Sequence, residues 1–233
     1  MVAFLYFAFY INNNKANKNT ITDLVYLDMT MIKATRADHD ALVETLMQSF
    51  WNEEFCNWAV QAEKLSFEQK HAKLEQFFSI QLKDIAQPYN EVYTNPDRSV
   101  AALWIPPNQW DLNLIQQVKL LPQLTKIIGL RQLVKFIHII NLVQKHHPSE
   151  AHYYLQLIGV SPDHQGQGLA SKVLTPILTK SDQHGIPCYL ETATPSNVGL
   201  YRHYGFEVIF HLRDLPYNAP EIWGMWRKPT HEK

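Results

Sequence analysis

The apolar pattern changes period repeatedly along the last third of the chain, and the changes predict alternating strands and helices. Residues 153–160 (YYLQLIGV) are an almost unbroken apolar run of strand length. Residues 168–184 follow with helical spacing, 188–193 read as a strand, 196–204 as a short helix, and 207–212 and 221–227 as strands. This alternation predicts an α/β fold built on one sheet. Upstream, 31–35 read as a short strand. Leu42, Val43, Leu46 and Phe50 then recur at helical spacing behind Asp38, a suitable N-cap. Residues 66–86 form a second helix, with Leu74, Phe77, Phe78 and Leu82 on one side. The strand-like segments 91–94 and 99–105 flank Asn95-Pro96-Asp97-Arg98, a turn signal, and so predict a hairpin that ends at Pro106-Pro107.

Two stretches are apolar beyond what an exposed helix carries. Residues 112–143 are mostly helical in pattern, with breaks predicted near Pro122 and Gly129, and hold Leu120, Leu124, Ile127, Leu133, Phe136 and Ile140 among others. A solvated helix pair would not carry so many apolar side chains, so the stretch is expected to pack on the sheet or close over a pocket. Phe50, Trp51, Phe55 and Trp58 form an aromatic cluster that suits either core packing between two helices or the wall of an acceptor pocket.

Composition narrows the class. The 233 residues are 46% hydrophobic and 18% charged, enough for one sizeable core. A formal net charge of −1 provides no broad electrostatic footprint for nucleic acid or an anionic membrane. Cys56 and Cys188 lie far apart and in no CxxC pair, so neither a disulfide framework nor a structural zinc site is expected, and a cytoplasmic setting is the default. His138, His146 and His147 lack the spacing of a metal site and read as surface or cap residues. The apolar opening, Val2 to Ile11, is too short to span a bilayer. Because periodicity begins near Met31, residues 1–30 read as an extension outside the fold, with a signal anchor as the alternative, and 31–228 as one domain with a helical insertion near 112–146.

The most specific feature follows the 153–160 strand. After Ser161-Pro162-Asp163-His164 comes Gln165-Gly166-Gln167-Gly168-Leu169-Ala170-Ser171, which opens an apolar helix. The first amides of a helix have no intrahelical acceptor, and the helix dipole favours an anion there. Gly166 and Gly168 let the backbone approach a pyrophosphate closely. The loop has neither the lysine of a Walker P-loop nor a GxGxxG pattern, which disfavours ATP chemistry and a dinucleotide fold. It resembles the Q/R-x-x-G-x-G/A loop of the GNAT acetyltransferases. Asn197-Val198-Gly199-Leu200-Tyr201-Arg202-His203-Tyr204-Gly205-Phe206 resembles the N-x-x-x-x-Y-x-x-x-G-F segment of that superfamily, and the two stand in the expected order. Within it, residues 156–206 look nearest to the puromycin-acetyltransferase group.

The resemblance implies the GNAT acyl-CoA N-acyltransferase fold: a mostly antiparallel central sheet with splayed strands, flanked by helices. It implies acetyl-CoA as acyl donor and no metal. Binding residues would be Gln165, Gly166, Gln167, Gly168, Leu169, Ala170 and Ser171 at the pyrophosphate, Asn197 at the pantetheine arm, and the backbone of Ile158, Gly159 and Val160, which also offers oxyanion donors. Tyr201 takes the role of acid toward the departing thiolate. Glu191, on the strand after the cofactor helix, is the first candidate for the base, ahead of Glu53, Glu54 and His152. A free cysteine in a strand is a small buried hydrophobe, so no acyl-cysteine route is expected through Cys188. The function expected is acetyl transfer to a primary amine of a small molecule by direct attack in a ternary complex. The alternatives are a protein or peptide acceptor, or a non-catalytic acyl-CoA-binding module.

Overall fold

A computed structural model describes residues 30–230. Seven strands form one sheet: β1 (Ile32–Lys33), β2 (Val92–Thr94), β3 (Val100–Ile105), β4 (Tyr153–Val160), β5 (Cys188–Thr192), β6 (Glu207–Leu212) and β7 (Ile222–Arg227). Their spatial order is β1-β2-β3-β4-β5-β7-β6, and every neighbouring pair is antiparallel except β4 with β5. The expected mixed, mostly antiparallel sheet is thus the fold observed.

Helices cover both faces. α1 (His39–Ser49), α2 (Glu54–Val60), α3 (Phe67–Ile80), α4 (Leu114–Ile128) and α5 (Leu130–Gln144) share one core, and α6 (Leu169–His184) and α7 (Pro195–His203) the other. The first core is aromatic: Phe50, Phe55, Phe77 and Phe78 are fully buried, with Phe50 and Phe78 centroids 5.2 Å apart. Burial of each ring contributes about 1.5–3 kcal/mol. The cluster in 50–60 is therefore mainly core, while Trp51 and Trp58 stay partly buried at its edge. In the second core Val173, Ile177, Val198, Tyr201 and Phe206 pack against the opposite side chains of β3, β4 and β5.

Helix α1 lies close on β4. A Cβ built on Gly159 would stand 2.8 Å from Ser49 Oγ and 2.9 Å from Ser49 Cβ. Ser49 Oγ in turn donates to the Val160 carbonyl at 3.0 Å. On β7, Gly224 has the Phe210 ring where its side chain would be, and Phe210 also meets the His146 ring at 5.1 Å.

Three details depart from the sequence reading. Asp38 stands at the N-cap of α1 but does not cap it with its side chain. It closes the preceding turn instead, accepting from Thr35 N and Oγ1 and pairing with Arg98, because Thr35 and Asp38 sit at capping-box spacing. The 66–86 helix changes to a π turn at Gln81–Ala86. Helix α4 runs through Pro122, and the helical stretch breaks only at Gly129, where φ is +78°. Pro122 and Val118 are both exposed, so the helix carries the proline on its solvent side.

Candidate active site

Strands β4 and β5 pair over three residues and then part. Tyr153, Tyr154 and Leu155 face Cys188, Tyr189 and Leu190, and the pairing stops there. β4 continues along β3 to Val160, and β5 continues along β7 to Thr192. The backbone from Gln156 to Val160 therefore has a strand on one side only. Gln156 itself is passed over in the register with β3, a bulge that turns both Gln156 and Leu157 to the α1–α5 face. Its amide donates to Gln81 Oε1 at 2.7 Å, and its buried Oε1 has no hydrogen-bond partner among the described residues. Ile158 and Val160 send their side chains into the α6–α7 core, while Gly159 faces α1.

The gap leads into the glycine loop. Ser161 N–H bonds the Ser99 carbonyl at 2.8 Å, Ser161 Oγ meets His164 Nδ1 at 2.8 Å, and the Gln165 amide donates to the Val160 carbonyl at 3.2 Å. These bonds fix the exit from β4. Gly166 and Gly168 then take φ of +77° and +75°, and a Cβ on either would meet nothing within 4 Å. The left-handed backbone demands glycine here, and the space above it is open. Gly168 is the N-cap of α6, so the amides of Leu169, Ala170 and Ser171 lie ahead of the first helical bond, Lys172 N–H to the Gly168 carbonyl. Leu169 and Ala170 anchor this turn in the core while Gly166, Gln167 and Gly168 remain exposed. Such a turn can hold a pyrophosphate.

Tyr201 and Asn197 lie one turn apart on α7, both buried, with 1% of their surface exposed. The Tyr201 ring meets Phe206 edge-on at 5.9 Å. Burial, and then the neighbouring Tyr204 phenol, push its pKa well above the usual tyrosine value, so the hydroxyl keeps its proton at neutral pH. Glu191 lies on the opposite face of the sheet, on β5 one residue beyond the last pair with β4, and is 5% exposed. Each of its oxygens accepts a phenol: Tyr154 Oη to Oε2 at 2.6 Å and Tyr189 Oη to Oε1 at 2.7 Å. Tyr201 and Glu191 thus lie on opposite faces of the sheet.

A second feature of the carboxylate side escaped the sequence reading. His147 Nδ1 stands 3.5 Å from Glu191 Oε1, and its side chain is only 4% exposed. Trp110 stacks on its ring with centroids 3.9 Å apart. Nothing in the spacing of the chain could place His147 there, because it arrives from the turn after α5.

The sequence pattern of the acetyltransferase (GNAT) family matches residues 89–206, which span half of the chain and contain both the loop and Tyr201. The chain belongs to the GNAT family. An uncharacterised N-acetyltransferase of Schizosaccharomyces pombe is 39% identical over 83 residues, which are 34% of this chain and 33% of that protein. The chain therefore spans about a third of the length of the curated relative it matches. Two solved structures share the fold. One, a Corynebacterium glutamicum protein described as histone acetyltransferase HPA2 and related acetyltransferase, superposes with a TM-score of 0.62 at 21% identity, covering 88% of this chain and 98% of that one. Arylalkylamine N-acetyltransferase 2 of Aedes aegypti gives 0.54 at 13% identity, covering 86% and 99%.

The remaining candidates have other surroundings. Glu53 is the buried N-cap of α2, its Oε2 accepting from Cys56 N–H at 2.7 Å. Burial pushes its carboxyl up to about 7. Glu54 is exposed and lines a cavity of about 540 Å³ together with Trp58, Gln132 and Tyr217. His152 is fully buried behind His147, with Nε2 3.1 Å from His147 Nε2. Cys188 is buried, and burial pushes its thiol up to about 12, which keeps it from acting as a thiolate. Among the described residues no group of His, Cys, Asp and Glu is arranged to hold a metal ion, and no helix is long and apolar enough to cross a membrane.

Proposed function

We propose that this GNAT domain, residues 31–228 with α4 and α5 as an elaboration, transfers acetyl from acetyl-CoA to a primary amine of a small molecule. The observation that carries the reading is the parting of β4 from β5 beside the Gly166–Gly168 loop, with Tyr201 on one face and Glu191 on the other. The loop and the first turn of α6 take the pyrophosphate, and Asn197 bonds the pantetheine arm. The amine, freed of its proton by Glu191, attacks the thioester carbonyl within a ternary complex. Backbone N–H groups near Ile158 to Val160 hold the oxyanion. Collapse of the intermediate expels a thiolate, and the Tyr201 phenol protonates it. Holding amine and thioester together accounts for much of the acceleration.

A small acceptor is favoured over a protein chain because Glu191 lies nearly out of solvent, with Trp110-stacked His147 against it. The likeness to puromycin acetyltransferases rests on residues 156–206 alone and does not extend to the acceptor. Two buried free thiols accord with a cytoplasmic protein. The test is acetyl-CoA turnover against a panel of amines and peptides. Turnover confined to peptides would transfer the reading to a protein acceptor. Acetyl-CoA binding without turnover on any amine would leave a binding module.

A further inference from the structure

We infer that His147 is a positioning residue that holds the Glu191 carboxylate ionised by carrying the proton the two would otherwise share, and that His152 fixes the tautomer that lets it do so. The inference rests on Glu191 being the base.

The geometry is a line of two hydrogen bonds and one ion-pair contact. His152 Nδ1 is 2.6 Å from the Glu150 carbonyl, which can only accept, so Nδ1 carries the proton. Its ring is fully buried, and burial, opposed by that carbonyl bond, pushes its pKa down to about 4. His152 is therefore neutral at neutral pH, and its Nε2 is an acceptor. His147 Nε2, 3.1 Å away, must be the donor in that contact. This leaves His147 Nδ1 facing Glu191 Oε1 at 3.5 Å. Two lone pairs would oppose each other there unless one proton lies between them.

The surroundings decide which partner keeps that proton. Tyr154 from β4 and Tyr189 from β5 both donate to the carboxylate, which favours its ionised form. Trp110 stacks on the His147 ring, a contact that favours an imidazolium. The titratable groups facing the pair among the described residues are Tyr154, Tyr189 and His152; the rings of both tyrosines meet His147 edge-on, at 5.4 and 4.5 Å. None of these three supplies a cation, whereas His147 can balance a charge on Glu191. In the reaction the acceptor ammonium loses one N–H proton to the carboxylate, its lone pair is freed for attack, and His147 keeps both of its ring protons.

Two measurements test this. Nitrogen NMR of histidine rings in the unliganded protein at pH 7 should find both His147 nitrogens protonated and His152 neutral with its proton on Nδ1. In Glu191→Gln, His147 should revert to a neutral ring protonated on Nε2. In His147→Gln, the acid limb of the kcat/KM profile should move toward alkaline pH, with acetyl-CoA affinity unchanged. A neutral His147 in the wild-type protein overturns the inference, and so does an unmoved acid limb. The wild-type spectrum needs no variant, so it remains decisive if His147→Gln does not fold. Wild-type single-turnover rates in Glu191→Gln would also overturn it, and the ring spectrum would then show that the base failed and not the pair.

Discussion

Gly159→Ala tests whether that glycine serves the ligand or the fold. The added methyl would stand 2.8 Å from Ser49 Oγ, 2.9 Å from Ser49 Cβ and 3.3 Å from Leu46 Cδ2. The first two are closer than a real contact allows, and Ser49 cannot swing clear because its Oγ is held by the Val160 carbonyl. Helix α1 must therefore move off β4, and overpacking of this kind costs about 1–3 kcal/mol. For a domain of this size that is a fall of about 2–12 °C in Tm. Calorimetry should show the fall. Ser49→Gly should return part of it in the double variant, because it removes both close atoms, and the cycle should give a coupling of about 0.5 kcal/mol or more. A stable Gly159→Ala protein that has lost acetyl-CoA affinity would refute the packing argument and return the residue to the ligand.

Other expectations are simpler. Tyr201→Phe keeps the ring against Phe206, so stability should change by no more than about one hydrogen bond, roughly 1 kcal/mol, while the single-turnover rate should fall by about 10²- to 10⁴-fold. Because burial already holds the phenol protonated, no alkaline limb from Tyr201 should appear in the wild-type profile below the usual tyrosine range, and one that disappears in Tyr201→Phe would contradict this. Gly168→Val forces a β-branched residue to a φ of +75° and fills the space above the loop, so calorimetry should find acetyl-CoA affinity lost in a protein that still folds. Glu53→Gln should stabilise the protein by about 1–3 kcal/mol at pH 8 and by nothing at pH 4. The sign follows from the raised carboxyl: the folded state holds a proton that the unfolded state has released, so wild-type stability falls as pH rises from about 4.5 to about 7. Urea unfolding at the two pH values measures it, and equal effects at both would contradict the assignment.

The geometry of the proposed cofactor side was legible because it is local. A glycine-bearing helix start and two side chains one turn apart on a short helix are set by neighbours in the chain, so Gly166, Gly168, Asn197 and Tyr201 could be read without tertiary knowledge. The strand order was less accessible, although each strand of β4 to β7 was predicted within a residue or so. The proposed acceptor side was hidden because it is assembled from afar. Glu191 meets Tyr154 across strands, and His147 reaches it only because the turn after α5 folds back over β5. Pro122 misled for a different reason: it lies on the exposed side of α4, and the helix runs through it.

The short seam between β4 and β5 has a mechanical consequence. Among the described residues, the strand pairing between the β1–β4 half of the sheet and the β5–β7–β6 half is three residue pairs long, Tyr153 to Leu155 with Cys188 to Leu190. Glu191 rides with one half and the Gly166–Gly168 loop begins from the other. Widening of the gap along the sheet would load those three pairs, where backbone amide exchange would record an opening as a local event well below the free energy of global unfolding.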